Sequence, residues 1–240
     1  MEELRIKRKL KDKVNGFLQG LNQIYADELV SVIVYGSAAS GEFVERHSNL
    51  NLLVVLKDSS IENIKKASEL VARYRMLSPL FMGETDIATS TDVFPIEFLD
   101  MRENYLLLYG KDILKDLQID TKNLRFQCEH ELKAKLISLR QMYLRTRGNK
   151  DWLHNLLLKS FTSVLYIARN LLRIKGKLPV YKKEELLDEV AAEFCIELET
   201  WKKILQARNR QIRLSGSETE TLFIAFTKDL EKIAESVDKL

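Results

Sequence analysis

Between residues 29 and 56 the chain carries two continuous apolar runs, Leu29–Tyr35 (LVSVIVY) and Asn49–Leu56 (NLNLLVVL). The first ends at Gly36-Ser37, and the segment between the runs begins with the small, turn-like residues Gly36-Ser-Ala-Ala-Ser-Gly41. Short runs rich in Val, Ile and Leu, bounded by turn residues, are the pattern of buried strands. Two such strands on either side of a Gly-Ser turn restrict the first half of the chain to a sheet-containing fold.

Helical and strand patterns alternate around this pair. Leu4, Leu10, Val14, Leu18 and Leu21 predict an amphipathic helix over residues 3–25, with the basic run Arg5 to Lys13 on its solvated face. Ser60 to Met76 predicts a second helix, opened by a Ser-Ser pair suited to capping. Residues 79–93 show no clear period. Phe94–Leu99 (FPIEFL) is expected as a third strand, with Pro95 marking an edge or a first residue. Arg102–Tyr109 is expected as a short helix stopped by Gly110.

Beyond residues 115–122 every pattern is helical. Leu132, Leu136, Leu139 and Tyr143 mark one stripe; Leu153, Leu157, Leu165, Ala168 and Leu172 mark another, ended by Gly176 and Pro179. Glu184–Phe194 and Leu198–Arg210 are two further helices, and Ser217-x-x-Glu220 is a capping box for a last helix through Leu222, Phe226, Leu230, Ile233 and Val237. Short connections between them imply an antiparallel bundle. The expected fold class is α+β, with a small mixed-sheet domain at residues 1–118 and an antiparallel helical bundle at 119–240.

The net charge of +3 is too small to argue for a nucleic-acid partner, which usually shows as a clustered basic excess. Cys128 and Cys195 have no CxxC partner and read as two buried free thiols. No stretch reaches the ~18 continuous apolar residues of a membrane span, and residue 2 onward lacks the apolar run of a signal peptide. A cytoplasmic protein with no membrane partner is the expectation. Trp152 and Trp201, at helix starts, are expected as packing residues.

The order strand, Gly36-Ser37, ~ten residues, Ser48-Asn49-Leu50-Asn51, apolar strand closely resembles the nucleotidyltransferase superfamily. That group includes DNA polymerase beta, the poly(A) polymerases, the aminoglycoside nucleotidyltransferases and the minimal MNT proteins. The resemblance covers roughly residues 28–110. The helical remainder is similar in architecture to the bundle of kanamycin-type enzymes and of HEPN-like fusions. The resemblance implies nucleotide contacts from Gly36, Ser37 and Ser48. It implies metal ligation at positions 49 and 51, where the family's Asp-x-Asp stands and this chain has Asn49 and Asn51.

Alternate residues of a strand share a face, so two aspartates at those positions would jointly hold hard divalent ions. Such ions activate the attacking hydroxyl and neutralise the triphosphate during in-line transfer. Asparagine keeps the size and one carbonyl oxygen but loses the charge. Phosphoryl transfer rests on positioning and charge neutralisation, and losing one such electrostatic contribution costs on the order of 3 kcal/mol, or about a hundredfold or more. In the family the third carboxylate lies on a later central strand, and Glu97 is the first candidate for it, with Asp100 and Asp86 behind.

These readings imply a catalytically degenerate nucleotidyltransferase-fold protein that binds a nucleoside triphosphate or a partner in the cleft between sheet and bundle. Magnesium belongs there only if the site still loads a metal–nucleotide complex. One alternative is an active metal-dependent enzyme that transfers NMP to an unknown acceptor, drawing on Glu97, Glu42 or Glu45. Another is an interaction module that pairs through its bundle as a homodimer. Arg147 and His154 fit the loose Arg-x(4–6)-His spacing of HEPN ribonucleases, but Gly148-Asn149 between them reads as a helix connection, with Asp151 as a cap for the next helix.

Overall fold

A computed structural model describes residues 8–40 and 49–239 of the chain. The chain divides between Asp120 and Thr121 into two compact units.

In the first unit, helix α1 (Arg8–Tyr25) buries Leu10, Val14, Phe17, Leu21 and Tyr25, a stripe at helical spacing. It leads into β1 (Leu29–Tyr35), a four-residue helix α2 (Ser37–Ser40) and β2 (Leu50–Leu56). Both strands run where the apolar runs place them. The predicted 60–76 helix is real but broken into α3 (Ile61–Ile64) and α4 (Ser68–Arg73), joined by a 3₁₀ turn. Its cap is Ser60, whose Oγ accepts the Asn63 N–H at 3.4 Å.

Strand β3 (Leu77–Gly83) and helix α5 (Glu84–Ser90) occupy the stretch that shows no clear period in sequence. The next two expectations are overturned. Residues 94–99 do not form a strand: Pro95–Glu103 is helix α6, with Pro95 in its first turn. There the fixed φ of proline suits the helix and its missing N–H costs nothing. Residues 102–109 do not form a helix: Tyr105–Gly110 is strand β4. Its YLLLY run pairs with the free edge of β1, and that tertiary pairing overrides the local helical pattern.

The sheet is mixed, in the order β3-β2-β1-β4. β1 is antiparallel to both β2 and β4, while β2 and β3 are parallel. Pro79 is tolerated in β3 because that strand lies at the edge. Even-numbered β2 residues Leu50, Leu52, Val54 and Leu56 pack with α1, Ala67 and Leu70. Leu53 and Val55 point the other way, toward Ile87, Phe98, Met101 and Leu114. Helices therefore cover both faces, which explains the unbroken apolar sequence of β1 and β2. Gly110 has φ +77°, and a β-carbon there would run into the Val30 carbonyl, so only glycine closes β4 against β1.

The second unit holds, among the described residues, five helices: α7 (Thr121–Thr146), α8 (Lys150–Ile174), α9 (Lys183–Phe194), α10 (Leu198–Arg208) and α11 (Gly216–Val237). The α8 cap is Asn149, whose Oδ1 accepts the Trp152 N–H at 3.0 Å, and not Asp151. The last capping box lies two residues earlier than expected: Ser215 and Glu218 exchange bonds of 3.2 and 2.8 Å. Cys128 is buried as expected, but Cys195 is exposed at the left-handed C-cap of α9. Trp201 is fully buried against Phe161 and Phe226, whereas Trp152 is 59% exposed and not part of the core. Two arginines take left-handed backbone just past helix ends, Arg147 (φ 47°) after α7 and Arg210 (φ 60°) after α10. A non-glycine residue in that conformation costs roughly 1–2 kcal/mol.

Among the described residues the bundle core contains one buried carboxylate. Asp229, only 2% exposed, accepts the Trp201 indole N–H at 3.1 Å, the Glu197 backbone N–H at 3.2 Å and the Lys232 ammonium at 3.0 Å. It joins α10 and α11 at their most aromatic point. Asp229→Ala should strand the buried Trp201 indole N–H and an ammonium partner and destabilise the bundle by about 3 kcal/mol, read from urea unfolding. Asp229→Asn, which keeps a carbonyl acceptor, should cost markedly less.

Candidate functional site

The end of the sheet where β1 runs out and the other three strands begin brings together two of the residues singled out in sequence, Gly36 and Asn51. The pairing register sets Tyr105, Tyr35, Asn51 and Ser78 side by side in one row across all four strands. Registered partners share a sheet face, so this row points the same way as Ile33, Leu53 and Leu107. It forms the polar end of an otherwise apolar face.

Gly36 follows Tyr35 directly, with φ +74°. A methyl group there would sit 3.4 Å from the Asn51 amide nitrogen, so the Gly-Ser turn and the second asparagine are neighbours. The Gly36 N–H is already used, since it donates to the Asn104 carbonyl at 3.1 Å. Gly36 therefore contributes shape to the site, and its N–H is spent on anchoring the turn to the end of α6. Asn104 in turn has a buried side-chain Nδ2 with no hydrogen-bond partner. Asn49 lies one residue before β2 and is exposed; Asn51 is half-buried inside it. Ser48, Glu42 and Glu45 lie outside the described residues.

The third carboxylate does not stand where it was expected. Glu97 lies in the first turn of helix α6 and not on a strand. The strand neighbour of Asn51 on its other side is β3, and the residue there is Ser78. Asp100 is also on α6. Asp86 has a structural task at the start of α5: it accepts the Ser59 hydroxyl at 2.6 Å and the Gly83 N–H at 2.8 Å. Those two bonds, the Ser59 one foremost, hold its carboxyl below the ordinary aspartate range.

None of the four strands contains an aspartate or glutamate. Among the described residues no three His, Cys, Asp or Glu side chains come together as a metal-binding group. A pair of divalent ions demands several charged oxygens, and the row Tyr105–Tyr35–Asn51–Ser78 supplies none. The described donor set does not fit a two-ion centre.

Sequence reading missed Tyr35, Ser78, Tyr105 and Asn104. Tyr35 carried a signal, as the polar last residue of an apolar strand next to Gly-Ser. Ser78 and Tyr105 lie in segments whose strand character depends on pairing with β2 and β1.

The chain can be superposed over 92% of its length on 99% of the spectinomycin adenyltransferase AAD(9) from Enterococcus faecialis, solved with ATP and spectinomycin, at a TM-score of 0.58 and 14% identity. The chain shares the fold of that adenyltransferase. A putative protein adenylyltransferase, MJ1305, from Methanocaldococcus jannaschii is 28% identical over 111 residues, covering 43% of this chain and 74% of that protein. No protein-family model matches the chain. Within this shared fold, the row Tyr105–Tyr35–Asn51–Ser78 carries no acidic or basic side chain.

Burial raises the phenol pKa of both tyrosines of the row. Tyr105 reaches about 12, mainly through burial and then through its bonds to Asp112 at 2.9 and 2.8 Å. A raised folded-state pKa favours the protonated phenol, so this contribution to stability is intact below the unfolded value of about 10 and is lost as pH climbs through the folded value. In a spectrophotometric titration Tyr105 should ionise late, and Tyr105→Phe should remove that late phase.

Proposed function

We propose that this chain binds a nucleoside triphosphate at the sheet end beside the Gly36 turn, without the paired-carboxylate metal centre used for nucleotidyl transfer. The observation that carries the reading is the carboxylate-free row next to that turn, with the asparagine amide of Asn51 facing the glycine. The shared fold with an adenyltransferase solved with ATP supports nucleotide as the ligand class.

The electrostatics are consistent with a binding role. Two aspartates at 49 and 51 would repel an uncomplexed triphosphate and admit it only with its metal. Asparagines remove that repulsion and put amide donors in place of acceptors. Tyr35 and Ser78 flank Asn51 in register and offer hydroxyls on the same face. The likeness to a putative protein adenylyltransferase favours a second reading, retained nucleotidyl transfer, in which carboxylates from elsewhere in the chain would have to carry the metal.

Thermal melts with ATP, GTP, CTP and UTP, each with and without magnesium, separate the two. Under binding-only, a nucleotide at a hundred times its dissociation constant stabilises by ~2.7 kcal/mol whether or not magnesium is present. Asn49→Asp/Asn51→Asp should abolish the metal-free shift and make any remaining shift depend on magnesium. A wild-type shift that requires metal, accompanied by pyrophosphate release, would establish the transferase reading instead. No shift with any nucleotide would remove both.

A further inference from the structure

Independently of the sheet-end site, we infer that one end of the helical bundle binds single-stranded nucleic acid. Five cations line adjoining surface hollows there: Arg145 and Arg147 at the end of α7, Lys150 at the start of α8, and Arg210 and Arg213 in the α10–α11 connection. All five side chains are exposed. The hollows are continuous, since Arg147 lines two of them and Lys150 two. Lys150 lies across Gly216, which brings the first turns of α8 and α11 together. The acids lining the same hollows are Asp151 and Glu220, and Glu220 is engaged by the Tyr143 hydroxyl at 2.7 Å.

Net charge gave no hint of this cluster, because its two halves are some 60 residues apart in sequence and meet only in the fold. Two long helices, α8 and α11, begin here, and their N-terminal dipole ends add to the positive potential. Arg147 and Arg210 hold left-handed backbone that glycine or asparagine adopts at lower cost, which sets two guanidinium groups at the same end of the bundle.

The kind of polyanion follows from the side chains. Four of the five cations are arginines, whose planar fork suits phosphate oxygens and stacks on bases. Trp152 lines the same hollow as Arg145 and Arg147, and its exposed ring is a platform for an unpaired base. Bases of a duplex are already stacked and cannot use it.

The test is fluorescence polarisation of labelled dodecamer oligouridylate and oligothymidylate with the full chain, across a salt series. With roughly three phosphates contacted, log affinity should fall with log salt at a slope of about −2, a roughly twenty-fold loss between about 50 and 200 mM. Trp201 is buried, so quenching of tryptophan fluorescence on binding should disappear in Trp152→Phe while polarisation still reports complex formation. Arg147→Asn/Arg210→Asn suits the left-handed backbone and should melt no lower than the wild type. It should weaken binding by roughly tenfold and flatten the slope by about 1.4. If that pair misfolds, Lys150→Ala/Arg213→Ala gives the same reading. Preference for one oligomer over the other would identify the strand as RNA or DNA. The proposal is overturned by absence of binding at low salt, by binding that the charge-removing variants leave unchanged, or by capture on phosphatidylserine vesicles without oligonucleotide binding.

Discussion

The antiparallel pairing of β1 with β2 sets the position of nearly everything else in the first unit. It runs from Leu29↔Leu56 to Tyr35↔Asn51, and a slip of one residue would turn every β2 side chain to the opposite face. Both faces of β2 are covered, by α1, α3 and α4 on one side and by α5 and α6 on the other. The apolar interior alone would tolerate such a slip poorly. The polar row at the strand ends makes the register consequential, because Asn51 must meet both Gly36 and Ser78 for that end of the sheet to be what it is.

Charge removal at this row has a structural side as well as a functional one. A half-buried aspartate at position 51, with a second one close by at the exposed position 49 and no cation, would be costly and driven to take up a proton. Asparagine avoids that cost and leaves the strands, the left-handed Gly36 and its bond to Asn104 in place. The sheet has no carboxylate at all, so the neutrality extends beyond the two asparagines.

The second unit is organised around a different interaction. Asp229 accepts from Trp201, the Glu197 N–H and Lys232, and the aromatic rings of Phe161, Trp201 and Phe226 close around the same region. The opposite kind of environment prevails where α7 meets α8 and α10 leads to α11. There the arginines and Trp152 are exposed. One bundle therefore carries a satisfied buried charge in its core and a cluster of exposed cations at one end.

By itself the sequence determined the elements whose pattern is strong and local. These are β1, β2, the α1 stripe, the helices of the bundle, and the Gly-Ser turn followed by Asn-Leu-Asn, whose resemblance to the nucleotidyltransferases pointed to the fold. Apolar periodicity and turn chemistry are properties of a few adjacent residues, and they survive any arrangement of the rest. The tertiary structure alone decided that 94–103 is a helix and 105–110 a strand. Pro95 suits either a strand edge or a helix start, and YLLLY becomes a strand only because β1 offers it an edge. Likewise Glu97 left the sheet, Ser78 became the neighbour of Asn51, and Arg147 came to share one surface with Arg210. Each of these depends on pairing or packing between segments far apart in sequence, and no short-range pattern records such a juxtaposition.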